Sequence, residues 1–128
     1  MNDTQAQAKM TQVYLQMVRL LHVYLAHFPR HEKYALSNRI RNTAYEVYDY
    51  ITEGHKVFHK KTTLRNLDVA HEKLRMQLYL AYEMGYLGFK DGRISEDPAD
   101  TGARRLKAIG VHIDELGRLI GGWIKSQH

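Results

Sequence analysis

Histidine and carboxylate spacing is the first place to look for chemistry in this chain, because eight histidines accompany 14 acidic side chains. His31-Glu32-Lys33 and His71-Glu72-Lys73 both begin like a zinc-protease helix. That motif needs a second imidazole four residues after the first, so that both reach one metal ion beside a carboxylate base. Position 35 is Ala35 and position 75 is Arg75, so the motif fails in both places. Carboxylate-bridged di-iron bundles need paired Glu-x-x-His motifs; the nearest approach is Asp68-x-x-His71, which has no counterpart. His55 and His59 stand one turn apart if helical and read as part of the basic run Lys56, Lys60 and Lys61, with a metal ion shared with a partner subunit as the lesser reading. His71 interrupts an apolar stripe and reads as a hydrogen-bonded interior residue, with a polar seam between subunits as the second reading. Ser37, Ser95 and Ser126 fall at helix starts or ends, not in the strained turn that exposes a nucleophile. Gly85, Gly88 and Gly92 lack the spacing and the Lys-hydroxyl pair of a phosphate-cradling loop. No enzyme, cofactor or metal is expected.

Binding chemistry is better represented. Nineteen basic residues against 14 acidic ones set a net charge of +5, which favours phosphate backbones or acidic protein surfaces as partners. The candidate contacts fall in three groups: Arg30, Lys33, Arg39 and Arg41; Lys60, Lys61 and Arg65; and Arg104, Arg105 and Lys107. The last three crowd the start of a helix, where the backbone dipole prefers anions. Interleaved with Tyr34, Tyr45 and Tyr48, these cations could hold phosphates while the rings stack on bases. The competing reading is an ordinary solvated surface, since Glu32, Asp68 and Asp100 lie close by in sequence.

The elements that must position these groups are helices. Apolar residues recur every three or four positions in four stretches. The first stripe is Met10, Val13, Tyr14, Met17, Leu20, Leu21, Tyr24 and Phe28, widened by Leu15, Val18 and Leu25, after a polar lead-in over residues 1–8. Leu36, Ile40, Ala44, Val47, Ile51 and Phe58 form the second. Leu64, Leu67, His71, Leu74, Leu78, Ala81 and Gly85 form the third, with Thr62 or Thr63 as its cap. The fourth, Leu106, Ile109, Ile113, Leu116, Ile120 and Trp123, alternates as a heptad seam. Asp97 is placed to cap it, with Pro98 in its first turn. Helices are thus expected over about 5–28, 32–60, 63–86 and 98–126, breaking at Phe28-Pro29 and at the Lys90-Asp91-Gly92 turn signal. Short links make sequential helices neighbours, so the fold class expected is all-α: one domain over residues 1–128, an antiparallel up-down-up-down four-helix bundle.

Gly110, Gly117 and Gly121 lie on one further face of the last helix. Each costs roughly 1 kcal/mol relative to alanine, so close approach by another helix or subunit is expected there, with Trp123 in packing or assembly; the competing reading is that Gly121-Gly122 loosens the last turns of the helix. The absence of cysteine fits a reducing cytoplasm. Arg19 and His22 interrupt the most apolar early run, so neither a secretory segment nor a membrane span is expected.

Two blocks carry a family resemblance. Phe28-Pro29-Arg30, then Glu32-x-Tyr34-x-Leu36, Arg39-Ile40-Arg41 and Ile51-Thr52-Glu53-Gly54 resemble the second helix of the four-helix-bundle proteins named for 23S ribosomal RNA intervening sequences. Leu106 to Lys125 resembles the last helix of one branch of that group, the accessory variability determinant proteins of diversity-generating retroelements. Tyr45-Glu46-Val47 and His55-Lys56-Val57 depart from the commoner intervening-sequence pattern and favour that branch. The resemblance implies a basic bundle assembling as a homopentameric barrel. It also implies reverse transcriptase and RNA or DNA as partners, with a supporting part in mutagenic copying of template RNA. The alternative is an intervening-sequence-type bundle of undefined role without a polymerase partner.

Overall fold

The computed structural model describes residues 3–127. Four helices dominate it: α1 (Asp3–Ala26), α2 (Leu36–Lys56), α3 (Lys61–Glu83) and α4 (Pro98–Ser126). Helix α1 packs on α2 and α4, and α3 packs on the same two, so the helices close around a single core. Lys9 near the start of α1 pairs with Glu115 late in α4 at 3.6 Å. Tyr24 near the end of α1 lies beneath the guanidinium of Arg105, early in α4.

The apolar stripes read from the sequence face this core. Met17, Leu21, Ile40, Val47, Leu67, Leu74, Ile109, Leu116 and Ile120 are fully buried, each side chain contributing roughly 1.5–3 kcal/mol by leaving water. Tyr14 joins them because its phenol can donate to the carbonyl of Ala44 on α2, which satisfies its one polar atom. Burial, followed by the neighbouring Tyr45 phenol and the negative charge of Asp49, raises the Tyr14 pKa well above the ordinary phenol value.

Several boundaries differ from the expected ones. The polar lead-in is helical from Asp3 onward; Met1 and Asn2, the rest of it, lie outside the described residues. Helix α2 begins at Leu36 and not near 32, because residues Arg30–Glu32 wind into a short 3-10 turn. The Glu32 carboxylate then accepts the Leu36 N–H at 3.1 Å and the Tyr86 hydroxyl at 3.0 Å. These two bonds, the backbone one first, hold that carboxyl below its usual range. At its other end α2 stops at Lys56, since Val57 is extended and the Lys60 ammonium donates to the carbonyls of Gly54 and Val57, both at 2.7 Å. Phe58 is therefore outside the stripe assigned to it and is 91% exposed. Neither Thr62 nor Thr63 caps α3: the helix starts at Lys61, and the Thr63 hydroxyl donates to Glu53 across to α2 at 2.9 Å.

Gly85, at φ +81°, ends α3 in the left-handed region that side chains disfavour. The connection after it contains the departure from an all-helical chain: β1 (Phe89–Lys90) and β2 (Arg93–Ile94) pair antiparallel, Phe89 opposite Ile94. Asp91 and Gly92 both have positive φ, 53° and 82°, as a two-residue type I′ hairpin turn requires. The Asp91 N–H reaches the His27 ring at 3.1 Å and the Gly92 N–H its carbonyl at 3.2 Å, so the turn is fastened to the end of α1. Tyr86 and Phe89 rest against the bundle end as expected, the Tyr86 ring 6.0 Å from Phe28. Asp97 caps α4 by accepting from the Asp100 N–H at 3.2 Å, with Pro98 in the first turn.

Candidate nucleic-acid interface

The hairpin bends back over the start of α4 and forms one wall of a groove of about 900 Å³. Arg30, Lys90, Arg93, Arg104 and Arg105 line it, together with Asp91, Glu96, Asp97 and Asp100. Two of these acids are engaged: Asp97 with the helix cap, and Asp100 with Arg104 at 3.1 Å. Arg30, Lys90 and Arg93 have no ion-pair partner among the described residues and stand exposed. The stem of Arg30 packs near Gly92, where an added Cβ would lie 3.4 Å from its Cγ.

Arg105 has a different place from its neighbours. Its Nη1 donates to the carbonyls of Leu87 at 3.2 Å and Phe89 at 2.6 Å, and its guanidinium lies 5.6 Å from the centre of the Tyr24 ring. Desolvation, then the like charge of Arg104, lowers its pKa from the ordinary value, although a guanidinium stays charged at any physiological pH. It fastens the hairpin connection to α1 and α4. Replacing Arg104, Arg105 and Lys107 together would thus disturb the fold as well as the surface.

The other candidates do not join this group. Lys61 and Arg65 line a separate hollow of about 490 Å³ with Ile124, at the start of α3. Lys60 stands close by, its ammonium occupied by the end of α2. Arg39 lies with Tyr34 and Leu80 in a groove of about 610 Å³ between α2 and α3. Lys33 and Lys107 are exposed and Arg41 is half-buried. Of the ten cations, Arg30, Arg104 and Arg105 share the hairpin groove, and Lys61 and Arg65 the hollow at the start of α3. Lys90 and Arg93, outside the ten candidates, flank the Asp91-Gly92 turn and bring two further cations to the groove.

The tyrosines are dispersed too. Tyr34 is 88% exposed beside Leu80, whereas Tyr45 and Tyr48 lie along the α1–α2 seam. Tyr48 packs on Tyr14 at 5.1 Å, and Tyr45 meets His22 edge-on at 6.1 Å.

His71 is the interior, hydrogen-bonded residue its position in the stripe suggests. Its Nε2 lies 2.8 Å from the carbonyl of Ile113; a carbonyl only accepts, so Nε2 carries the hydrogen. Gly117 makes room for this ring, since a Cβ there would stand 2.9 Å from the imidazole Cε1. Gly110 and Gly121 have nothing within 4 Å of an added Cβ, so no contact among the described residues explains them. Trp123 lies over Gly54 and stacks on His55 at 4.4 Å. His55 and His59 do not share a helix, because α2 ends between them and His59 turns to Phe58 at 4.9 Å. Among the described residues no group of three His, Asp or Glu side chains could hold a metal ion, and no helix is long and apolar enough to cross a membrane.

The outward groups of this helical bundle include unpaired cations and half-covered rings, which are suited to docking. The family model described as bAvd-like matches residues 8–127. The chain belongs to that family, which makes it an Avd-like protein of the accessory class. No curated protein and no solved structure matches it.

Proposed function

We propose that this protein is a non-catalytic accessory subunit of a diversity-generating retroelement. It binds the reverse transcriptase together with RNA or DNA in the cytoplasm and supports mutagenic copying of template RNA. The observation that carries this reading is the family match over residues 8–127. Its physical support is the net charge of +5 and the exposed, unpaired Arg30, Lys90 and Arg93 at the hairpin groove. Phosphate neutralisation by such cations releases counterions, so binding weakens as salt rises.

Replacing Arg30, Arg93 and Arg104 with alanine, while leaving Arg105 to hold the hairpin, tests the groove. Fluorescence anisotropy with labelled single-stranded RNA, repeated across a salt series, is the measurement. If all three contact phosphates, the slope of log affinity against log salt becomes shallower by about 2, at roughly 0.7 per phosphate of a single strand. An unchanged slope removes the groove from the interface. Wild-type protein that captures neither RNA nor a retroelement reverse transcriptase defeats the function itself.

The same reading takes the helices as antiparallel and the assembly as a homopentamer. A line of residues on α3 supports a subunit contact: Val69, Met76 and Leu80, spaced by seven and four, lie on the side away from the core and are each about half exposed. Gly110 and Gly121 on α4, open to close approach, offer a flat surface against which such a line can pack. Met76→Glu with Leu80→Glu is expected to reduce the light-scattering mass to that of one 15.0 kDa chain while helical circular dichroism is retained. Retention of the multimer moves the contact elsewhere.

A further inference from the structure

Rings from both helices cover the α1–α2 seam. Tyr14 fills it from below, with its hydroxyl directed to Ala44 and its ring 5.1 Å from Tyr48. Above it, Tyr45 and Tyr48 remain 45% and 42% exposed, although each already packs on a ring of α1. Arg41 precedes Tyr45 by one turn of α2, and Arg19 precedes His22 by three residues on α1. Neither arginine has an ion-pair or hydrogen-bond partner among the described residues. Asp49 is the acid felt here, since its charge raises the Tyr14 pKa.

We infer that Tyr45 and Tyr48 form a stacking platform for the bases of a single-stranded nucleic acid, with Arg41 and Arg19 taking its phosphates. This rests on the nucleic-acid-binding reading above and gives it a strand type and a second location, away from the hairpin groove. Bases in a duplex are stacked on one another and present only edges, so a pair of half-exposed rings selects unpaired strands. The packing beneath supports the choice. Each tyrosine is braced by a ring of α1, so little ordering is needed when a base settles on its outer face. Asp49 repels phosphate from its own side and leaves the flank of Arg41 and Arg19 for the strand.

The test compares labelled single-stranded RNA with the same sequence as a duplex, using the full chain. Tyr45→Ala with Tyr48→Ala is expected to weaken single-strand binding by about tenfold or more while duplex binding holds. Tyr45→Phe with Tyr48→Phe should bind as wild type does, because the ring faces remain. Arg41→Ala should reduce the salt dependence of single-strand binding. Unchanged single-strand affinity in the alanine variant overturns the platform and leaves the proposed function standing. So does an equal fall for single strand and duplex, or a fall accompanied by a lower assembly mass, which would mark this face as a subunit contact. Wild-type protein that binds no RNA in either form overturns both readings together.

Discussion

Gly88→Val is expected to destabilise the protein by about 3 kcal/mol, at the upper end of the range for overpacking a tight site. A Cβ at Gly88 would stand 2.6 Å from the carbonyl oxygen of Pro98 and 2.8 Å from its Cβ. Neither side of this contact yields easily. The Gly88 N–H is bonded to Gly85 and its carbonyl accepts from Ser95, while Pro98 opens the first turn of α4 behind the Asp97 cap. The neighbouring Leu87 and Phe89 carbonyls are held by Arg105. The added side chain must push the connection off α4 and break several of these bonds at once. Equilibrium urea denaturation measures the loss, and Gly85→Asn is a useful comparison. Gly85 has open space where its Cβ would be and asks only for a left-handed backbone, which asparagine tolerates. A stability change under about 1 kcal/mol for Gly88→Val would show that the connection does not seat on α4.

His71 and Gly117 should behave as a coupled pair. His71→Ala loses a hydrogen bond at 2.8 Å and leaves a ring-sized void between α3 and α4, for about 2–3 kcal/mol. Gly117→Ala in the wild-type background brings two opposed effects. Alanine gains about 1 kcal/mol of helix propensity, but its methyl sits 2.9 Å from the imidazole Cε1 and must displace the ring from Ile113. The displacement should win, for a net loss of about 1–2 kcal/mol. With His71 already replaced the obstacle is gone, and the same Gly117→Ala change should stabilise by up to about 1 kcal/mol. A double-mutant cycle by thermal or urea unfolding therefore yields a coupling near 2 kcal/mol, with a change of sign for Gly117→Ala. Simple additivity would mean that the glycine is not there for the ring.

How much of this could be read beforehand depends on the range over which each signal acts. Phe58 apart, the four stripes and the Asp97 cap are local, set by periodicity and by single-residue backbone preferences, and appear where the residues place them. The end of α2 was misplaced because Phe58 extends the apolar spacing, while the group that stops the helix is the ammonium of Lys60 reaching back to Gly54 and Val57. The hairpin was visible as a turn at Lys90-Asp91-Gly92 but not as a ladder, since two residues per strand carry no periodicity.

The candidate interface was legible as charge and not as place. Counting cations identified Arg30 and Arg104. It took the folding of residues 84–97 against α4 to add Lys90 and Arg93 and to separate Arg105 as a structural group. The tyrosines show the same division: their number was evident, but only the packing of α1 on α2 braced Tyr45 and Tyr48 against His22 and Tyr14.

Residue order by itself therefore determined the helical stripes, the Asp97 cap and the cationic character, because those follow from neighbours within a turn or two of chain. Tertiary structure alone decided which cations stay free, which glycine clears a ring and which aromatic faces remain open. Those outcomes depend on side chains brought together from distant positions: His71 against Gly117, Arg105 against Leu87 and Phe89, Tyr48 against Tyr14.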